Sequence, residues 1–253
     1  MSGQALIIGK EIEVVSEVNS TNAYAKENLR KNLDSRGYWV FTEKQLQGRG
    51  QGSNRWASDS KHSLTASFVV KPQPWPGKDS FWPVRAQRLF AVCVQDSLQE
   101  FVKKNVLLKW PNDVYLDGKK VGGMLLENGW QNGQAMWTIC GLGLNLSSSP
   151  AFPTESSHLD APIPALEFLQ TWGGIFAETW KKRRLQSDDV LLQDYLKALW
   201  GFHTYREFEL ISTGEVFGGT AVGVDEQNRI ELLVQGIQGI ESRHYEIKSI
   251  RWR

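Results

Sequence analysis

The chain has 253 residues, 41% of them hydrophobic, which is enough for a sizeable core in one large domain or a large one plus a small one. Its 29 basic and 28 acidic side chains give a formal charge of +1, which argues against a nucleic-acid binder that works by massed phosphate neutralisation. Two cysteines, Cys93 and Cys140, and four scattered histidines exclude a disulfide framework and argue against a zinc site built on His or Cys.

Taken in chain order, the first ten residues hold an apolar run of only four, too short for a signal peptide. Glu11 to Val18 (EIEVVSEV) reads as a strand. Ser20, Thr21 and Asn22 are N-cap residue types, and Ala25, Leu29 and Leu33 follow at i, i+4 spacing, so a helix is expected to about Ser35. Tyr38 to Thr42 is a strand by its aromatic and β-branched content. Glu43 to Lys61 is a polar, Gly-rich loop. Leu64 to Val70 alternates with period two and ends at Pro72, Pro74 and Pro76. A helix is expected from about Phe81 to Lys103. A short strand then runs from Val106 to Trp110. Asp117-Gly118 and Asn132-Gly133 are hairpin turns, with strands from Val114 to Leu116, Val121 to Leu126 and Ala135 to Leu146. The uncharged stretch from Asn128 to Thr154 is broken by Gly, Asn, Gln and Ser and does not read as a membrane span. Helices follow at about 165–185 and 188–199. From about His203 short alternating runs recur with turn signals, the texture of a small all-β module. The fold class is therefore α+β, a mixed β-sheet body with flanking helices and a β appendix, and the compartment expected is cytoplasmic.

Five segments carry candidate chemistry. Gly48-Arg49-Gly50-Gln51-Gly52-Ser53-Asn54-Arg55-Trp56 offers backbone N–H groups, two cations and a flat indole to an anion and a base. Lys44, Arg49, Arg55 and Lys61 against Asp59 make this loop +3 in a chain of +1. Neither a Walker loop nor a Rossmann turn fits its spacing. Lys109-Trp110-Pro111-Asn112-Asp113 is equally a structural turn or a pocket wall. Lys120-Val-Gly-Gly-Met-Leu-Leu-Glu127 places Gly122 and Gly123 inside a strand, where they mark a bulge or a close ligand approach. Gly141, Gly143 and Asn145 share one strand face, nearly bare until an amide able to read a donor–acceptor edge. Ser20-Thr21-Asn22 reads alone as a helix N-cap and otherwise as a set of polar groups for a ligand.

Together and in this order the segments resemble the biotin protein ligases: STN, Q-x-x-GRGxxxxxW, KWPND, KxxGxLxE, GxGxN and a small β-barrel. The resemblance spans about Glu11 to the C-terminus. It implies a catalytic domain related to class II aminoacyl-tRNA synthetases over residues 1–202 and an SH3-like domain over 203–253. It further implies that biotin's carboxylate attacks the α-phosphorus of MgATP, giving biotinyl-5′-AMP, and that a lysine of a biotin carboxyl carrier domain then takes the biotin and releases AMP. Two anions must meet in the first step, so cations are needed between them. The family assigns that work to the positions of Lys120 and Arg49.

By the same resemblance Ser20, Thr21, Asn22 and Gln45 bind biotin, joined by Arg49, Gly50, Gln51, Lys120, Gly123 and Leu125. Gly48, Gly50, Asn54, Trp56 and Asn145 face ATP or the adenylate, Asn145 reading the adenine edge. Lys109, Trp110, Asn112, Asp113, Gly141 and Gly143 support the site. Magnesium is expected on the phosphates, with no protein ligand assigned. Gln51 and Asn54 stand where many members carry further loop arginines. Repressor members carry a helix-turn-helix before the first strand, where this sequence has about ten residues, so no DNA partner and no membrane partner are expected. From Gly201 there are six basic and eight acidic residues, a poor nucleic-acid surface. Monomer and homodimer both stay open. The rivals are a lipoate or octanoate protein ligase or transferase of the same superfamily, and, from another class, a non-catalytic nucleotide- or RNA-binding module. No counterpart of the RRxSGGG-type segment typical of lipoate ligases is visible.

Overall fold

A computed structural model describes residues 6–8, 12–29, 36–52, 54–72 and 82–253. It contains an eight-stranded mixed sheet in the order β1-β2-β3-β4-β8-β7-β6-β5. The strands are β1 (Leu6–Ile8), β2 (Ile12–Val18), β3 (Tyr38–Gln45), β4 (Ser63–Val70), β5 (Val106–Lys109), β6 (Asp113–Leu116), β7 (Lys119–Gln131) and β8 (Gln134–Asn145). Among these, β2 and β3 pair in parallel across helix α1 (Thr21–Glu27), and the remaining pairs are antiparallel. Both hairpin turns form where expected. Asp117 and Gly118 have φ of 51° and 74°, and Asn132 and Gly133 have 51° and 77°, the left-handed backbone that such dipeptides favour.

Helices α2 (Trp82–Val102) and α3 (Ala165–Arg183) cover one sheet face. Trp39, Phe68, Phe90, Trp172, Phe176 and Trp180 interlock there, with ring centroids as close as 4.9 Å. The short α1 lies on the opposite face over Val15, Tyr38, Val40, Val69 and Ile139. Period two was therefore right for β4, but both faces are buried, and all eight of its residues are enclosed. Leu64, Ala66 and Phe68 face the helices, while Ser63, Thr65 and Ser67 occupy the other face, which an ordinary half-exposed sheet would give to water.

α1 ends at Glu27, with Asn28 as its C-cap, so it is shorter than the 3.6 period suggested. Leu33 lies outside the described residues. Strand β1 was not anticipated. A fourth helix, α4 (Asp188–Ala198), starts at Ser187, whose side chain accepts from Val190 N–H.

The chain ends in a five-stranded antiparallel sheet, ordered β12-β11-β10-β9-β13. Its strands are β9 (Tyr205–Leu210), β10 (Val216–Val224), β11 (Ile230–Gly236), β12 (Gly239–Tyr245) and β13 (Ile250–Trp252). β12 ends at Tyr245 and a turn leads into β13 at Ile250. This sheet shares one continuous apolar core with the body. Trp110 Nε1 donates to Asn228 O at 3.0 Å, and the buried Arg88 donates to Asp225 O at 2.5 Å. Trp130, on β7, is 45% exposed.

Candidate active site

The polar face of the sheet is read most simply as rows across β4, β8 and β7. Thr65 pairs with Gly143 and Gly143 with Gly123; one row on, Ser67 pairs with Gly141 and Gly141 with Leu125. In the first row Gly143 and Gly123 are bare, and the Trp56 ring lies on them. A Cβ built on Gly143 would fall 2.2 Å from Trp56 Cε2, and one on Gly123 3.5 Å from Trp56 Cζ3. In the second row Asn22 fills the space: a Cβ on Gly141 would fall 2.5 Å from Asn22 Oδ1. These glycines are therefore seats for two side chains from distant segments.

Above these rows opens a cavity of about 860 Å³. Helix α1 enters it with Ser20, Thr21 and Asn22, buried to 5% exposure or less. Ser20 stands at the N-cap but its side chain makes no cap hydrogen bond, so simple capping does not account for it. Gln45 Oε1 accepts from Thr21 N–H at 3.0 Å. Thr21 Oγ1 lies 2.7 Å from Ser67 Oγ, and Ser67 donates to Asn22 Oδ1 at 2.6 Å. Asn22 Nδ2 donates to Leu125 O at 3.2 Å and Glu127 Oε2 at 2.8 Å.

The glycine loop folds into a small hairpin. Gly50 N–H donates to Asn54 O at 2.8 Å and Trp56 N–H to Gly48 O at 3.0 Å. Arg49 pairs with Glu127 at 2.5 Å. Gly52, at φ 64°, lies against Lys248 of the C-terminal sheet, whose Nζ donates to Gln51 O at 2.6 Å. Trp56 Nε1 is buried and has no hydrogen-bond partner among the described residues, so it remains available to an acceptor.

The opposite wall comes from the segment between β5 and β7. Lys120 Nζ pairs with Asp113 Oδ1 at 2.6 Å and lies 5.9 Å from the Trp56 ring centre. Asn112 donates to Met124 O. Lys109 Nζ donates to Tyr115 OH at 3.0 Å and lies 5.2 Å from the Trp200 ring centre. Burial pulls the Lys109 ammonium below its usual value, against the opposing charge of Asp113. Burial, then Asp113, pushes the Tyr115 phenol up to about 12.

All the candidate residues line this cavity except Gly48 and Asn145. Gly48 sits behind it, closing the loop hairpin against Trp56 O. Asn145 is one row beyond the glycine floor, opposite Ser63, and its Nδ2 donates to Ser157 O at 2.9 Å. Arg55 of the candidate loop lines the cavity too, and Thr65, Glu155, Ile211, Lys248, Ile250, Arg251 and Trp252 also line it and were missed. Most are set there by contacts between remote segments, for which no local pattern exists. Ser67 and Glu127 were missed as well, although Glu127 closes the KxxGxLxE segment. Arg49, Arg55, Lys109, Lys120, Lys248 and Arg251 outnumber Asp113 and Glu155 on the wall, which favours a polyanion. Among the described residues no group of three His, Cys, Asp or Glu is placed to hold a metal, and no helix is long and apolar enough to cross a membrane.

The α+β sheet thus carries on one face a polar cavity, walled by a glycine loop and two lysines, with room for a small molecule together with a nucleotide. The chain belongs to the Biotin/lipoate A/B protein ligase family, whose model matches residues 14–145. It is 29% identical over 255 residues to the Bifunctional ligase/repressor BirA of Bacillus subtilis (strain 168), covering 95% of this chain and 75% of that protein. It is 29% identical over 235 residues to the Biotin--[acetyl-CoA-carboxylase] ligase of Mycobacterium tuberculosis, covering 90% of this chain and 85% of that one. Its fold is that of the biotin protein ligase from Aquifex aeolicus solved with biotin and ATP: TM-score 0.69, 22% identity, 96% of this chain and 99% of the other.

Proposed function

We propose that the chain is an ATP-dependent biotin protein ligase that forms biotinyl-5′-AMP and passes the biotin to a lysine of a carboxylase's biotin carboxyl carrier domain. The observation that carries this reading is Ser20: a buried serine at a helix N-cap that caps nothing and lines the cavity beside Thr21, Asn22 and Gln45. A cyclic urea needs such a mixed donor and acceptor set. The names of the relatives support the same substrate, and that of the Mycobacterium tuberculosis relative supports acetyl-CoA carboxylase as the source of the carrier.

In this reading biotin's head sits by α1 and its carboxylate points toward Lys120 and Arg49. These cations offset the repulsion as the carboxylate oxygen bonds to the α-phosphorus and pyrophosphate leaves. Magnesium arrives on the triphosphate, whose oxygens it favours. The base lies near Trp56 over Gly123 and Gly143. The glycine loop shields the mixed anhydride from water until a carrier amine attacks the acyl carbon and AMP departs. We further infer a catalytic unit over residues 1–202, an SH3-like unit over 203–253, and a cytoplasmic setting, the last from cysteine usage.

Pyrophosphate release tests the first step. It should require biotin, and Lys120→Ala should slow single-turnover adenylation at least roughly 100-fold while biotin affinity stays within about threefold. Release driven by lipoate and not by biotin would transfer the reading to the lipoate branch.

A further inference from the structure

Glu127 does not line the cavity, yet both its carboxylate oxygens hold side chains that do. It lies on β7 one alternation beyond Leu125, on the same sheet face as the glycine floor. Its Oε1 meets Arg49 Nη2 at 2.5 Å and its Oε2 accepts from Asn22 Nδ2 at 2.8 Å. Asn22 is itself fixed, its Oδ1 taken by Ser67 and its Nδ2 shared with Leu125 O. One end of the bridge is therefore rigid and buried, while Arg49, on the glycine loop, is half exposed.

A guanidinium has several N–H donors in a rigid plane. Engaging Nη2 leaves Nε and Nη1 for a ligand and fixes the direction in which they point. The carboxylate also lowers the net charge that Arg49 shows an empty cavity, so the loop need not close on stray anions. We propose that Glu127 is a positioning residue: it aims the Arg49 guanidinium into the cavity and couples the glycine loop to Asn22 of α1. Filling the α1 side of the site thereby sets the loop arginine at the place where the two anions meet. This rests on the ligase reading above.

The test is a mutant cycle on the full chain, reading biotin KM, adenylation kcat and escape of biotinyl-5′-AMP into solution. Glu127→Gln keeps the shape and an acceptor but removes the charge. It should lower kcat and raise escape by about 3- to 10-fold, with biotin KM nearly unchanged. In an Arg49→Gln background, adding Glu127→Gln should have almost no effect, because Glu127 acts through Arg49. Additive losses, or a raised biotin KM with kcat and escape intact, would overturn the proposal. Glu127→Asp, which keeps the charge and shortens the arm, carries the same cycle if Glu127→Gln fails to bind biotin. Wild-type protein that makes no adenylate at all defeats the ligase reading, whereas adenylate formation indifferent to Glu127 defeats this inference alone.

Discussion

Single residues divide the cavity into two halves with separable chemistry. Gly141 seats Asn22, and Gly143 seats Trp56, two positions apart on one strand. A methyl at either position meets ring or amide atoms well inside contact distance, and such overpacking costs about 1–3 kcal/mol, of which about 1.4 kcal/mol is a factor of ten. Gly141→Ala should therefore raise the KM for biotin about tenfold and leave that for ATP alone, and Gly143→Ala should do the reverse. Steady-state kinetics with each substrate varied decides it, and equal effects of both variants on both substrates would contradict the division. These glycines were legible because period two put them on one face. What they face was not legible, since Asn22 and Trp56 arrive from more than eighty residues away.

Among the elements, β8 shows where strand logic stops short. The alternation that makes Gly141 and Gly143 a floor also aligned Asn145 with them, and the resemblance gave it adenine. The strand ends at this residue, and Asn145 also donates to Ser157 O and accepts from Leu159 N–H, tying down the segment that brings Glu155 to the cavity wall. Asn145→Ala should cost about 0.5–1.5 kcal/mol through loss of the hydrogen bond to the half-buried Ser157 carbonyl, a fall of roughly 2–4 °C in Tm for each kcal/mol. A calorimetric scan reads this. An unchanged Tm with a raised KM for ATP would return Asn145 to the nucleotide. Long periodic elements such as α2, α3 and α4 were placed nearly to the residue. The end of α1 and the pairing of the C-terminal runs were not, because tertiary contacts and turns fix them rather than periodicity.

The whole molecule closes its cavity with two sheets rather than one. Residues of the C-terminal sheet and its turns reach the wall, and the β10–β11 turn is held to the body by Arg88 and Trp110. Asp225 organises that turn. Its Oδ1 accepts from Arg229 N–H at 2.8 Å and Gln227 N–H at 3.0 Å, and its Oδ2 from Arg229 Nε at 2.7 Å. Burial alone would raise this carboxyl, but the bonds from Arg229 and Gln227 outweigh it and the net shift is downward from 3.8. A depressed folded pKa means stability that is fully present above 3.8 and lost as pH falls through the lower folded value. Asp225→Asn should thus lower Tm most at neutral pH, and the gap to the parent should narrow below pH 3.8; a constant gap from about pH 7 to about pH 2 would remove Asp225 from the acid limb. None of this junction was visible in the sequence, where the β appendix offered only its alternation and its charge. Outside the six cations and two carboxylates of the cavity wall, 23 basic and 26 acidic side chains remain, so the positive charge is concentrated at the cavity.

The central claim is tested most directly by supplying MgATP, biotin and a purified biotin carboxyl carrier domain and weighing the carrier. The expected result is one biotinyl group on its acceptor lysine, with one pyrophosphate and one AMP released per transfer, and no product when that lysine is replaced by arginine. Lipoyl or octanoyl transfer in preference to biotin, or nucleotide binding with no pyrophosphate released, would contradict it.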